Sequence, residues 1–258
     1  MKITKILLAV LLALLAGCGG SNLQSVGGDS LLVGVCPNYP PIISKEDGRI
    51  VGLEADMARG IGRELNKPVE FIELDWADLI PALIAGRIDV IMTGMSVTNE
   101  RFREIHFLPN YMRIGQMALI READLGYFAH PSSLYQIIAR AGFESGTTGE
   151  NFVSKKMPRS VPVPLSSPAE GYEALISDRI DVFIHDGPTI WRGAEENRDQ
   201  GLMGLYRPLT KEYLAWAIRR GDQALYRSLS SILEKWKESG YLEMLINRWI
   251  RVRIEVER

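Results

Sequence analysis

The chain has 258 residues, a formal net charge of -2 and 46% hydrophobic residues. So small a charge leaves no basic footprint for nucleic acid or an anionic surface, and the length suffices for one large domain or two small ones. Two cysteines and three scattered histidines, His106, His130 and His185, lack the spacing of a metal site, and no cofactor is expected.

In chain order, the first element is MKITKILLAVLLALLAGC, with two lysines, an apolar run from Ile6 to Leu15 and small residues before Cys18. The run falls short of the roughly 20 apolar residues that span a bilayer, so residues 1–17 read as a secretory signal peptide to be left out of the fold. Leu15-Ala16-Gly17-Cys18 resembles the lipobox of bacterial lipoproteins. That resemblance implies acylation of Cys18 and anchorage in a lipid bilayer, with a flexible polar tether over residues 18–29. Cys36 is then the only other cysteine, so an intramolecular disulfide is not available and stability rests on a core.

LLVGV reads as a strand, GLEADMARGIGREL as a helix with Leu53, Met57, Ile61 and Leu65 on one face, and PVEFIEL as a strand. LIPALIAGR follows as a short helix and IDVIMTG as a strand, a βαβαβ rhythm that argues for a parallel sheet flanked by helices. PALIAGRIDVIM from Pro81 and EALISDRIDVFI from Glu173 share Ala-Leu-Ile and Arg-Ile-Asp-Val. They lie too far apart for a solenoid repeat, and the repetition argues for two lobes of similar α/β architecture. Each copy ends a strand where open α/β sheets bind ligands: GMSVTNER lies beyond the first and HDGPT beyond the second. A strand is expected through Ala141 to Glu144, and GQMALIRE (115–122) and EYLAWAIRR (212–220) read as connecting strands between the lobes. The final stretch from Asp222 reads as two helices broken at Gly240, with Leu225, Leu229, Leu233 and Trp236 in the core.

Motifs of hydrolases, phosphate-binding loops and zinc proteases are absent from the sequence. What remains suits a small zwitterion. Arg101 begins a helix capped by Thr98 or Asn99, where guanidinium, free N–H groups and helix dipole suit a carboxylate. Asp186 follows an apolar strand and suits an ammonium group; Tyr39 and Trp76 offer flat walls, and Ser96, Thr147 and Thr148 offer hydroxyls and loop amides. Each has a plainer reading: Arg101 as a solvated charge or partner of Glu104, Asp186 as a turn residue, Trp76 as a core aromatic and Thr147 or Thr148 as an N-cap.

YPP (39–41), GLEADMARGIGREL, W-x-x-LIPAL-x-x-GRIDV, GMSVTNER, SGTTGENF and DVFIHDGPT occur in this order from about Leu31 to about Trp249. In this the chain resembles the solute-binding protein family 3 of ABC importers, with HDGPT most similar to its glutamine-binding branch. The resemblance implies a type II periplasmic-binding-protein-like α/β fold, two lobes joined by two hinge strands around a ligand cleft. Lobe 1 would comprise 30–115 plus 215–258 and lobe 2 residues 116–214. It implies a polar or charged amino acid as ligand, held by Tyr39, Glu54, Trp76, Gly94, Met95, Ser96, Arg101, Thr147, Thr148 and Asp186. Arg101 would grip the α-carboxylate with help from Ser96 and Thr148, Asp186 and the Gly94 carbonyl would take the α-ammonium, and Tyr39 and Trp76 would sandwich the side chain. Glu54 stands where relatives tune side-chain choice, Cys36 where they often carry an aspartate, and Glu144 where glutamine binders carry a lysine. An ABC permease in the inner membrane, a monomeric state and an exported, lipid-anchored location are the further implications. Two alternatives stay open: an enzyme resembling cyclohexadienyl dehydratases, which needs an acid where this chain has Pro188 and Thr189, and a ligand-binding partner of a signalling receptor.

Overall fold

The computed structural model describes residues 29–250 except 129, 131 and 206; the signal peptide and Cys18 lie outside the described residues. Strands β1 (Leu31–Val35), β2 (Asn38–Tyr39), β3 (Ile43–Glu46) and β4 (Arg49–Val51) lead into helix α1 (Leu53–Leu65). Its buried Leu53, Met57 and Ile61 face the sheet, and Asn66 ends it in the left-handed conformation, its N–H bonding back to Arg63 and Gly62 carbonyls. There follow β5 (Val69–Glu73), α2 (Leu79–Ile84), β6 (Val90–Ile91), α3 (Asn99–Glu104) and β7 (His106–Phe107). β1 is buried almost throughout because helices cover both faces of its sheet.

The chain then crosses through β8 (Met112–Ile114) and builds β9 (Gln116–Arg121), α4 (Leu125–Phe128), α5 (Ser133–Gln136), β10 (Arg140–Glu144), α6 (Thr148–Lys156) and β11 (Val161–Leu165). It continues with α7 (Pro168–Ile176), β12 (Val182–Asp186), α8 (Gly187–Glu196) and β13 (Leu202–Leu205). β14 (Glu212–Leu214) returns to β15 (Ala217–Ile218), and α9 (Gln223–Glu238) and α10 (Tyr241–Trp249) finish the described chain. Leu229, Leu233 and Trp236 are buried, with Trp236 packed so closely on Gly60 that a Cβ there would sit 2.8 Å from its ring.

The strand orders are β5-β1-β6-β15-β7 and β11-β10-β12-β9-β13. In each sheet the first three are parallel, as the βαβ rhythm requires, but β15 pairs antiparallel with β6 and β9 antiparallel with β12. Both sheets are therefore mixed, because each lobe borrows a strand from a crossing segment. The sequence repeat has a structural counterpart. Asp89 and Asp181 accept the backbone N–H of Leu32 and Arg140, pinning the starts of β1 and β10. Ile88 and Ile180 pack on Gly34 and Gly142, where a Cβ would come within 2.3 and 2.5 Å.

The crossing lies only partly where the sequence expectation put it, in the first residues of the 212–220 run and just before the 115–122 run. β8 pairs antiparallel with β14, so the lobes are joined at 112–114 and 212–214. Residues 116–121 instead lie inside the second sheet and 217–218 inside the first. Both apolar runs are long enough to leave the crossing and enter a core, and that is where their buried residues go.

Candidate functional site

The cleft between the lobes is small, about 20 Å³, because side chains from each side meet across it. Arg101 is placed by α3, whose cap Thr98 accepts the Arg101 N–H at 3.2 Å. That helix has only six residues, so the site rests on the side chain rather than on a helix dipole. The guanidinium donates through Nη1 to the Ser96 carbonyl at 2.8 Å and through Nη2 to the Gly146 carbonyl at 3.1 Å, and lies 5.0 Å over the Trp76 ring. Trp76 Nε1 donates to the same Gly146 carbonyl at 2.9 Å, so two groups of the first lobe hold one carbonyl of the second. Among the described residues no carboxylate reaches ion-pair distance of Arg101. Burial lowers its pKa, opposed by Asp186, Glu212 and Glu100.

Asp186 ends β12 and is 6% exposed. Its Oδ2 accepts the Tyr39 hydroxyl from the first lobe at 2.7 Å and its Oδ1 accepts Gln116 Nε2. Burial pushes its pKa to about 6, with Glu212 adding and His185, Tyr39 and Gln116 opposing. It too lacks a Lys or Arg partner within ion-pair distance among the described residues. A buried carboxylate and a half-buried guanidinium, each without a counter-ion, thus face one cleft from opposite lobes, an arrangement that a zwitterion completes.

Beside Asp186, His185 and Glu144 are both buried and joined Nε2 to Oε2 at 2.9 Å. His185 Nδ1 accepts the Asp186 backbone N–H at 2.8 Å, which puts the ring proton on Nε2. Burial opposes protonation of His185, but Glu144 and Asp186 leave its pKa above the ordinary value. Glu144 Oε1 accepts Asn38 Nδ2 at 2.9 Å across the cleft.

Of the residues singled out from sequence, Tyr39, Trp76, Gly94, Ser96, Arg101, Thr147, Thr148 and Asp186 line the cleft, whereas Glu54 and Met95 do not. Met95 packs with Leu79, Leu83 and Ile91 in the core. Glu54 is fully buried behind Gly94, whose N–H it accepts through Oε2. Several lining groups have partners other than those expected. The Ser96 hydroxyl donates to Glu212 Oε2 at 2.8 Å, Thr147 Oγ1 to the Glu144 carbonyl at 2.7 Å, and Thr148 Oγ1 accepts Gln116 Nε2 at 2.9 Å. Tyr39 packs its ring edge-on to His185 and against Gly94, where positive φ and a Cβ position 2.6 Å from Tyr39 exclude any larger residue. Cys36 lies in the core beneath the cleft, its thiol pushed up to about 12 by burial, with Glu144 and Asp75 adding.

Sequence reasoning missed Asn38, Thr93 and Gln116, which also line the cleft. Gln116 carried a usable signal, being a polar residue at the head of the apolar run QMALI that ends up 1% exposed.

The family model of the bacterial extracellular solute-binding proteins, family 3, matches residues 31–252, and the chain belongs to that family. The ABC transporter glutamine-binding protein GlnH of Bacillus subtilis (strain 168) is 27% identical, over 79% of this chain and 74% of that protein. An ancestral arginine-binding protein solved with arginine is 26% identical at a TM-score of 0.81, covering 86% of this chain and 99% of that one. The ancestral amino acid-binding protein AncCDT-1, a precursor of cyclohexadienyl dehydratase, is 27% identical at a TM-score of 0.78, over 86% of this chain and 95% of its own. Among the described residues no helix is long and apolar enough to cross a membrane.

Proposed function

We propose that the protein is the substrate-binding component of an ABC importer, which captures an amino acid by closing two lobes on it and presents it to a membrane permease. The observation that carries this reading is the pair of uncompensated charges, half-buried Arg101 on the first lobe and buried Asp186 on the second. The α-carboxylate meets the Arg101 guanidinium and takes the place of the Gly146 carbonyl; the α-ammonium meets Asp186. A ligand touching both lobes favours the closed state by its differential affinity. The lobes comprise 30–115 plus 215–258 and 116–214, and the mature chain is a monomer exported and anchored through acylated Cys18.

Relatives named for glutamine and arginine support an amino-acid ligand. The protein acts by binding and not by turnover: the acid required soon after Asp186 in the dehydratase reading is replaced by Pro188 and Thr189. Incubation with prephenate or arogenate should give no product. Calorimetry tests the binding claim. Arg101→Ala should abolish amino-acid binding, while Arg103→Ala, on the exposed side of α3, should leave it within about 3-fold, a surface-charge effect. Equal loss from both, or from neither, contradicts the assignment.

A further inference from the structure

If Arg101 and Asp186 take the two ends of a zwitterion, one charge in the cleft is left over. Glu144 is 7% exposed and its carboxylate lines the cleft beside Asp186 and Asn38. Its only ion-pair-distance partner among the described residues is His185, whose ring meets Oε2 through Nε2; burial opposes a second ring proton, while Glu144 and Asp186 favour it. The Asp186 N–H occupies His185 Nδ1, so a second ring proton there would break this backbone bond. With Nδ1 so engaged, this geometry has the ring meet Glu144 Oε2 as a neutral Nε2–H donor, while Oε1 is held by the neutral Asn38 amide of the opposite lobe. Glu212, the other carboxylate nearby, has both oxygens engaged by the hydroxyls of Ser96 and Thr210. The neighbouring Cys36 thiol adds no positive charge.

We infer that the ligand is a basic amino acid, with Glu144 as the residue that reads its cationic side chain and His185 as the positioning residue that orients Glu144. This rests on the assignment of Arg101 and Asp186 to the α-groups. A guanidinium or ammonium approaching Glu144 replaces the Asn38 amide and adds the missing charge. A side-chain amide replaces the hydrogen bond alone and leaves a buried carboxylate uncompensated; a side-chain carboxylate meets it with like charge. Trp76, which already stacks on a guanidinium, provides an aromatic face in the same cleft.

The test is calorimetry of the full chain at pH 8 with L-arginine, L-lysine, L-glutamine and L-glutamate, on the wild-type protein and on Glu144→Gln. In the wild type at least one basic amino acid should bind about 30-fold or more tighter than glutamine and glutamate. Glu144→Gln should bring that ligand to within about 3-fold of glutamine by weakening the basic ligand alone. Tighter binding of glutamine or glutamate by the wild type, with binding still lost in Arg101→Ala, sinks the Glu144 assignment and leaves the importer reading standing. Equal weakening of all ligands by Glu144→Gln also sinks it, because the residue is then a scaffold and not a reader. Binding of no amino acid overturns both readings.

Discussion

Glu54 sits behind the cleft without any contact with solvent, its Oε2 accepting the Gly94 N–H and its Oε1 beside the Tyr111 hydroxyl without a formed hydrogen bond. Burial raises its pKa to about 8, Tyr111 and Gly94 opposing, which favours the protonated acid at neutral pH. Its folded pKa lies above the unfolded value of about 4.3, so its contribution to stability is complete below that value, falls progressively as pH rises from there, and is gone above about 8. Stability should therefore fall by about 1.4 kcal/mol between pH 7 and pH 9.5, the one pKa unit still left above neutrality, lowering the thermal midpoint, and Glu54→Gln should remove most of this dependence. A slope unchanged in the variant would place the titration elsewhere. For Asp186, Asn should weaken amino-acid binding by about 30-fold or more, since the α-ammonium then meets a neutral amide. Deaminated analogues should lose less, and calorimetry with matched pairs reads the difference. Arg101 and Asp186 were legible as candidates in the sequence through the motifs GMSVTNER and HDGPT, since a charge set past an apolar strand read equally as a solvated or turn residue. Asn38 and Gln116 were not, because their role depends on Glu144 and Asp186, which only the folded chain brings near.

At the scale of elements, the repeated Ala-Leu-Ile and Arg-Ile-Asp-Val made the two-lobe plan readable. The same aspartate starts the same strand in each lobe, and the same isoleucine requires a glycine beside it. The antiparallel strands were harder to read. β15 joins the first sheet only after the chain has built the second lobe, and local periodicity carries no trace of so distant a partner. The crossing point depends equally on close approach. A Cβ on Gly115 would lie 2.1 Å from the Thr210 carbonyl, between Gln116, which donates to Thr210, and the returning segment. Gly115→Ala should force the two crossings apart, costing about 1–3 kcal/mol in denaturant unfolding and weakening ligand binding. Unchanged stability and affinity would show that the crossings tolerate separation.

Across the whole molecule, the first lobe touches the second through Tyr39 on Asp186, Asn38 on Glu144, and Trp76 with Arg101 on Gly146. All are polar bonds, the Tyr39 one buried and the others nearer the rim of a small cleft, and each is a bond that ligand atoms can replace. Micromolar affinity corresponds to about 8 kcal/mol, within reach of a few charge-assisted hydrogen bonds once closure is subtracted. Glu100 on α3 and Lys155 on α6 belong to opposite lobes, lie 3.7 Å apart and are both well exposed. Spin labels at Glu100→Cys and Lys155→Cys therefore report closure, and the distance between them during titration with amino acids is the most direct test of capture by two lobes. The account predicts that an amino acid bound through Arg101 converts a broad or long distribution, saturably, into a single short distance, and that Arg101→Ala prevents the change. A distribution that stays the same while calorimetry shows the ligand bound would contradict it.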